Sequence, residues 1–220
     1  MKISAVLLDL DGTLIDTAPD LVAVLNTLLV ERGLPPVPFA VARNEVSNGA
    51  AGLLRMGFSD RDSDDELEPL RLRFLELYTR DVCVSSSLFN GLDAILEHLH
   101  EIKVPWGIVT NKPRVFTHSL LEALDMPFKP DSVVSGDQLP QRKPHPAPLL
   151  LGAEELGIDA HRCVYVGDSR GDIVAGKAAG MTTIAAAYGY IRADDDPWRW
   201  GASAVIRRPV QLLDALNSLK

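Results

Sequence analysis

The stretch LLDLDGTLID, residues 7–16, places two carboxylates at the end of an apolar run. Residues i and i+2 of a β-strand point to the same face, so Asp9 and Asp11 crowd one side of the chain while Leu10 points to the other. Two like charges so close together are unfavourable unless a shared proton, a basic side chain or a divalent cation neutralises them. The stretch therefore predicts a buried strand that ends in a polar site.

Short apolar segments rich in β-branched residues alternate with helical patterns along most of the chain. The predicted strands are ISAVLLD, VPWGIVT, DSVVSGD, CVYVGD, TTIAAAYG and SAVI. The predicted helices between and after them are GLDAILEHLHEI, RVFTHSLLEALD, APLLLGAEELG, GDIVAGKAAG and PVQLLDALNSL. Continuously apolar strands that alternate with helices predict an α/β fold, a Rossmann-like parallel sheet with helices on both faces.

Residues 17–83 interrupt this alternation, and their patterns look helical throughout. We therefore predict an all-helical insert after the first strand, joined by two short connectors to a core made of residues 1–16 and 84–220. Pro69 is predicted to start the last helix of the insert, because proline is poorly tolerated inside a helix.

Composition excludes several classes of protein. The chain has 220 residues, of which 46% are apolar and 24% charged, as in a globular protein. A net charge of −8 without a dense Lys/Arg cluster argues against a nucleic-acid partner. The apolar segment LVAVLNTLLV is too short to span a membrane, so we expect no membrane partner and a cytoplasmic location. The sequence leaves the oligomeric state open.

Polar residues gather where the predicted strands end. Ligands of open parallel sheets bind beyond the carboxyl ends of the strands. Each motif alone has an ordinary interpretation, since Asp-X-Asp pairs are often turns or caps and lone lysines are usually solvated. Their common place at one sheet edge favours a functional site instead. The residues at this edge are Asp9, Asp11, Gly12, Thr13, Thr110, Asn111, Lys143, Asp168 and Asp172.

The motifs DLDGT, VTN, KP and GDSRGD, in this order and spacing, resemble those of the haloacid dehalogenase-like superfamily. The resemblance covers nearly the whole chain and includes the helical insert as the mobile cap of that superfamily. Within it, FLELYTRD, TNKP and YGYIRADDDPWRWGA make the chain most similar to phosphoglycolate phosphatases and N-acetylmuramic acid 6-phosphate phosphatases.

The resemblance implies a role for each core residue. Asp9 would be the nucleophile that takes the phosphoryl group as an aspartyl-phosphate. Asp11 would be the general acid for the leaving alcohol and then the base for water. Thr110 and Lys143 would hold the remaining phosphoryl oxygens.

The resemblance also implies a Mg²⁺ cofactor, a hard cation that takes oxygen ligands. Its ligands would be the Asp9 carboxylate, the Asp11 main-chain carbonyl and the Asp168 carboxylate, with Asp172 in support. Further contacts to the substrate are expected from other residues of these motifs, namely Gly12, Thr13 and Asn111.

Single features of the sequence distinguish a phosphatase from other activities of this superfamily. A dehalogenase needs neither a metal nor a leaving-group acid, so Asp11 and GDSRGD argue against one. A phosphonoacetaldehyde hydrolase needs a cap lysine, and residues 17–90 contain none. A non-catalytic phospholigand-binding module would have lost one of Asp9, Asp11, Lys143 or Asp168, and none is missing. A phosphomutase has the same core and stays open.

The basic residues of the insert are all arginine, which suits recognition of a carboxylate. We therefore expect a Mg²⁺-dependent hydrolase of a small carboxylated phosphate monoester. The resemblance ranks N-acetylmuramic acid 6-phosphate ahead of phosphoglycolate. In SNGAAGLLR, we expect Ser47, Asn48 and Gly49 to face the active site and Arg55 to contact the carboxylate.

Overall fold

A computed structural model describes residues 3–58 and 63–219 of the chain. The strands in these ranges are β1 (Ala5–Leu8), β2 (Ile15–Asp16), β3 (Ser87–Leu88), β4 (Trp106–Val109), β5 (Ser132–Val134), β6 (Cys163–Gly167), β7 (Thr182–Ala186) and β8 (Ala204–Ile206). The helices are α1 (Ala18–Glu31), α2 (Phe39–Ala42), α3 (Gly49–Gly57), α4 (Asp64–Arg80), α5 (Leu92–Glu101), α6 (Arg114–Ala123), α7 (Ala147–Glu155), α8 (Arg170–Ala178) and α9 (Leu212–Ser218). A 3₁₀ segment at Arg43–Asn48 joins α2 to α3.

Six strands form one parallel sheet in the order β5-β4-β1-β6-β7-β8. The central strand β1 is buried along its whole length, as its continuous apolar sequence predicts. Val6 and Leu8 lie in a cluster with residues of α5, α6 and α9. Ala5 and Leu7 point to the other face and pack with residues of α7 and α8. Helices therefore cover both faces, and the predicted fold class is confirmed.

The insert has a hydrophobic core of its own. Apolar residues of α1, α3 and α4 pack together, and Phe116 of α6 and Tyr190 of the core join the same cluster. The two connectors that lead into and out of the insert pair as the short antiparallel strands β2 and β3. The helical character of the insert matches the prediction, and its bounds at residues 17 and 83 stay a prediction.

The last helix of the insert begins earlier than predicted. Ser63 caps α4, because its hydroxyl accepts a hydrogen bond from the Glu66 N–H while the Glu66 side chain accepts one from the Ser63 N–H. This capping box supplies partners for two exposed N–H groups at the helix start. Pro69 consequently lies inside the helix, and the prediction that it starts the helix is wrong.

Within the described ranges, no helix combines the length and the apolar content needed to cross a membrane. The cytoplasmic location stays a prediction.

Candidate active site

Three neighbouring strands bring the predicted site together. Asp9 follows β1, Thr110 follows β4 and Asp168 follows β6. Because β4 and β6 flank β1 in the sheet, their carboxyl ends meet at one edge. The chain order of the strands also reverses at β1, because β4 and β5 lie on one side of it and β6, β7 and β8 on the other. Ligand sites of such sheets usually lie at this point.

Lys143 is the positive centre of the site. Its Nζ lies 2.7 Å from Asp9 Oδ1 and 2.7 Å from Asp172 Oδ1, and it donates to the Val109 carbonyl at 3.0 Å. Burial alone would lower the pKa of this ammonium, but the carboxylates of Asp172 and Asp9 outweigh burial and raise the pKa. Lys143 therefore stays charged and neutralises part of the acidic cluster.

Tyr165 of β6 is a hydrogen-bond partner of the Lys143 ammonium. Its hydroxyl accepts a hydrogen bond from Lys143 Nζ at 2.8 Å and lies 2.9 Å from the Val109 carbonyl. Burial, followed by the charge of Asp172, raises the pKa of this hydroxyl well above its usual value, so it stays neutral.

Asp172 serves both the start of α8 and the site. Ser169 and Asp172 form a capping box at the start of the helix, so the ordinary interpretation of GDSRGD as a helix start is also true. Asp172 Oδ2 accepts from Ser169 N–H and Oγ, whereas Oδ1 faces Lys143.

Asp168 is buried, and three donors orient its carboxylate. It accepts hydrogen bonds from the Tyr190 N–H at 2.8 Å, from Ser47 Oγ at 3.3 Å and from Thr13 Oγ1 at 3.4 Å. The contact with Ser47 links the insert to the core. Burial, together with repulsion from Asp9 and Asp172, raises the pKa of Asp168 well above its ordinary value.

Asp9, Asp168 and Asp172 fit a divalent metal. Each offers one carboxylate oxygen, and these three oxygens lie within 4.8 Å of one another. Burial and the charges of Asp172 and Asp11 raise the pKa of Asp9 to about 7, although Lys143 acts in the opposite direction. An all-oxygen donor set suits a hard cation, which would relieve this repulsion.

Glycine allows the chain to pass close to Asp168. Gly12 has a φ of 84°, and a Cβ at this position would collide with the Asp168 carboxylate. Only glycine combines this backbone conformation with so close an approach.

Asp11 is held by residues from both parts of the molecule. Its Oδ1 accepts hydrogen bonds from Thr17 Oγ1 at 2.6 Å and from Lys112 Nζ at 2.9 Å. The Lys112 ammonium lies 4.8 Å from the centroid of the Tyr78 ring in α4. Burial acts to lower the pKa of Lys112, but the Asp11 carboxylate and Tyr78 outweigh it and raise the pKa.

Asn111 positions the loop that carries Lys143. Its side-chain amide donates to the Lys143 carbonyl at 3.0 Å, and its Oδ1 accepts from the Lys143 N–H at 3.0 Å. The neighbouring Thr110 is buried, and its hydroxyl accepts from the Lys112 N–H at 3.1 Å.

A cavity of about 430 Å³ lies between the core and the insert. The acidic cluster, Lys143 and Thr110 line it on the core side. On the insert side it is lined by Ser47, Asn48, Gly49, Arg71 and Tyr78, among others. The site is therefore open to a ligand much larger than an inorganic anion.

A family model described as haloacid dehalogenase-like hydrolase matches residues 6–186 of the chain. The chain belongs to this family. Among curated relatives of this hydrolase, a phosphoglycolate phosphatase of Xanthomonas campestris is 43% identical over 208 residues, which are 94% of each chain. An N-acetylmuramic acid 6-phosphate phosphatase of Pseudomonas putida is 39% identical over 218 residues, 99% of this chain and 98% of that one.

Solved structures agree with these relatives. The structure of a predicted phosphoglycolate phosphatase from Haemophilus somnus superposes on the hydrolase with a TM-score of 0.86, at 26% identity and over 98% of each chain. The predicted superfamily and the predicted phosphatase class are confirmed.

The structure of this hydrolase brings most of the predicted site residues together. Asp9, Asp11, Thr110, Asn111 and Lys143 line the cavity, as do Asp168, Asp172, Ser47, Asn48 and Gly49. Gly12 and Thr13 lie outside the lining and contact Asp168 instead.

Arg55 is exposed and lies outside the cavity lining. It follows Ala51, which lines the cavity, by four residues and therefore lies one helical turn further along α3. Arg71 of α4 is an insert arginine that does line the cavity, and its guanidinium donates to Glu68 at 2.6 and 2.7 Å.

Lys112, Tyr165 and Tyr190 contact the predicted site residues but were not singled out from the sequence. Lys112 stands in TNKP beside two recognised residues, so its motif held a signal for it. Tyr165 lies in the apolar strand CVYVG, where a tyrosine looks like part of the core. Tyr190 acts through its backbone N–H, which no side-chain pattern reveals.

Proposed function

We propose that the chain is a Mg²⁺-dependent phosphatase that acts on a small carboxylated phosphate monoester through an aspartyl-phosphate on Asp9. The ion-paired arrangement of Asp9, Lys143 and Asp172 carries this proposal. Lys143 contacts Asp9 at 2.7 Å, so a cation lies where a phosphoryl group would have to approach the carboxylate. Such transfer needs mainly positioning and charge neutralisation, and the site has groups for both.

In the first half of the reaction, an Asp9 carboxylate oxygen attacks phosphorus. The new bond joins Asp9 to phosphorus, and the bond from phosphorus to the ester oxygen breaks. The Asp11 carboxyl gives its proton to that oxygen, which leaves as the alcohol. Thr110 and Lys143 hold the phosphoryl oxygens during the transfer.

In the second half, Asp11 takes a proton from a water molecule that attacks phosphorus. The bond between Asp9 and phosphorus breaks, inorganic phosphate leaves, and the Asp9 carboxylate is restored. Asp11 has regained its proton and is ready to act as an acid again.

Asp9, Asp168 and the Asp11 main-chain carbonyl would hold Mg²⁺, with Asp172 beside Lys143 in support. When bound, Mg²⁺ supplies charge neutralisation for the phosphoryl oxygens. The three clustered carboxylates support a divalent cation at this place.

We propose N-acetylmuramic acid 6-phosphate as the first candidate substrate. The cavity volume of about 430 Å³ supports it, because pockets of this size hold ligands well beyond the size of phosphoglycolate. Arg71 is the candidate contact for its carboxylate. Phosphoglycolate is the second candidate, favoured by the name of the Xanthomonas campestris relative.

The deciding experiment measures kcat/KM for a panel of phosphate monoesters with Mg²⁺ and with excess chelator. We expect hydrolysis of both carboxylated candidates with Mg²⁺ and none in chelator. Ca²⁺ should inhibit, because its larger and looser coordination engages both oxygens of a carboxylate. Full activity in chelator would refute the metal, and formation of an isomeric phosphate ester would indicate a phosphomutase.

Two variants test the covalent mechanism. Asp9→Asn should abolish both turnover and an alkali-labile phosphoenzyme. Asp11→Asn should slow the reaction by about 10²- to 10⁴-fold, the usual contribution of general acid and base catalysis. Normal turnover of Asp9→Asn would exclude the aspartyl-phosphate.

A further inference from the structure

Lys112 lines the cavity but has no part in the mechanism proposed above. It lies directly after Asn111, and only 7% of its side chain is exposed. Its backbone is fixed on both sides, because its N–H donates to Thr110 Oγ1 at 3.1 Å and its carbonyl accepts from the Gly136 N–H at 2.9 Å. The ammonium is therefore held at a defined place in the site.

This ammonium lies between the core and the insert. Its Nζ donates to Asp11 Oδ1 at 2.9 Å, and the Tyr78 ring of α4 lies 4.8 Å away. A cation over an aromatic ring is stabilised, and more so where water is excluded. The Tyr78 ring thus stabilises the buried ammonium of Lys112. It does not compete for the Asp11 oxygen to which Lys112 donates.

The Asp11 carboxylate uses one oxygen for these contacts. Thr17 Oγ1 and Lys112 Nζ both donate to Oδ1. From residues 3–58 and 63–219, no hydrogen bond reaches Oδ2. Two donors on one oxygen fix the plane of the carboxyl group and leave the other oxygen for a ligand.

We propose that Lys112 is a positioning residue that holds Asp11 in the orientation needed for proton transfer to the leaving oxygen. The inference rests on the proposed function, in which Asp11 protonates that oxygen. Lys112 itself gives no proton to the product. Its importance should therefore depend on how much the leaving group needs a proton, which is greatest for alcohols and least for p-nitrophenol.

The test is Lys112→Met, which keeps an unbranched apolar chain and removes the donor. The substrates are phosphoglycolate, glycerol 2-phosphate and p-nitrophenyl phosphate, with Mg²⁺. Since proton transfer contributes about 10²- to 10⁴-fold, we expect kcat/KM to fall about 10- to 100-fold for both alkyl esters. For the aryl ester we expect a fall of less than about threefold. Lys129→Met, at an exposed lysine, should match the wild type on all three.

Thr17→Val is the second variant, because Thr17 is the other donor to the same oxygen. Thr17→Val should also lower kcat/KM more for the two alkyl esters than for the aryl ester. A general weakening of the fold would lower kcat/KM for all three alike. Equal losses on all three substrates would overturn the inference, as would a loss confined to phosphoglycolate, which would make Lys112 a carboxylate contact. If the wild type hydrolyses neither these three esters nor N-acetylmuramic acid 6-phosphate, the proposed function itself fails.

Discussion

At the scale of single residues, we propose that Arg71 helps to decide which ester is hydrolysed. In the proposed mechanism the core groups Asp9, Thr110 and Lys143 all contact the phosphoryl group, so they would not distinguish one leaving group from another. Discrimination would then come from residues on the opposite wall of the cavity, where Arg71 is the cationic side chain contributed by the described part of the insert, residues 17–58 and 63–83. Its present partner Glu68 is exposed, so a substrate carboxylate can replace that partner at modest cost.

Arg71→Ala should therefore lower kcat/KM for a carboxylated substrate and leave p-nitrophenyl phosphate unchanged. A lost charge-assisted hydrogen bond of about 1.5–3 kcal/mol corresponds to a fall of about 10- to 150-fold. Arg55→Ala is the matched control, because Arg55 is an insert arginine outside the cavity lining. If kcat/KM for the carboxylated substrate falls more in Arg55→Ala than in Arg71→Ala, Arg55 is the residue that contacts the carboxylate.

Gly12 offers a second test at the scale of one residue. Gly12→Ala should lose Mg²⁺-dependent activity, because the added Cβ displaces the Asp168 carboxylate. Gly157→Ala is the matched control, since Gly157 also has a positive φ of 68° but has nothing within 4 Å of an added Cβ. Both variants should lose about 1–2 kcal/mol of stability from the left-handed backbone. Retained activity in Gly12→Ala would mean that Asp168 can move without loss of the metal.

At the scale of elements, Asp20 joins the start of α1 to the chain that returns from the insert. Asp20 is buried, and its carboxylate accepts hydrogen bonds from the N–H groups of Val84, Ser85 and Ser86 at 2.9–3.1 Å. The Ser86 hydroxyl donates to it at 2.6 Å. The two ends of the insert are thus tied by one charged side chain.

Asp20→Asn should consequently destabilise the protein by about 1.5–3 kcal/mol, because hydrogen bonds to a charged group are lost and an amide nitrogen meets backbone donors. Chemical denaturation followed by circular dichroism measures the change. Asp93→Asn, at an exposed first-turn aspartate of α5, should stay within about 0.5 kcal/mol of the wild type. Equal effects in the two variants would show that Asp20 acts only as a first-turn charge.

Element boundaries were predicted less well than element types. The sequence prediction started α4 at Pro69 from the proline alone and did not use SDDE, residues 63–66, which has the spacing of a capping box. The observed helix begins at this box, which supplies partners for two backbone donors. Pro69 is the sixth residue of the helix, where it removes one helical hydrogen bond and crowds the carbonyl four residues before it. The two-residue strands β2 and β3 are too short to leave a periodic signal.

At the scale of the whole molecule, the buried acidic cluster couples stability to pH and to metal. Asp9 has a pKa of about 7 in the folded chain, against about 3.9 when unfolded. Between these values the folded state holds more protons, so the free energy of unfolding of the metal-free protein falls as the pH rises. The raised pKa of Asp168 acts with the same sign.

Mg²⁺ should therefore raise the melting temperature more at pH 8 than at pH 5, where protons compete for the carboxylates. At a hundred times its Kd, a ligand adds about 2.7 kcal/mol, or about 5–10 °C for a chain of this length. Differential scanning calorimetry with and without Mg²⁺ at both pH values measures this, with NaCl at matched ionic strength as the control. The same shift at both pH values would contradict the coupling.

The general fold and the core of the site could be predicted from the sequence because both depend on local patterns. Six apolar strands, the carboxylates after β1 and β6, and Lys143 all stand in short motifs. Lys112 and Tyr165 were not predicted as site residues. Their places in the site depend on contacts with Asp11 and Lys143, respectively, which lie far away in the chain. Arg55 as the carboxylate contact stays a prediction, and its place outside the cavity lining could not be predicted because sequence alone does not fix which turn of a helix reaches a cavity.

The pairing of β2 with β3 has a consequence for how such chains can change. The two connectors lie side by side, so the insert leaves and rejoins the core at neighbouring points, as the loop of a β-hairpin does. The entropy of closing a loop grows only slowly with its length, so the length of the insert adds little to the cost of bringing these two strands together. We expect that different helices can be exchanged at this junction only where contacts between the insert and the site, such as that of Ser47 with Asp168, are kept. Within that limit the choice of substrate can change through the insert while the core groups stay the same.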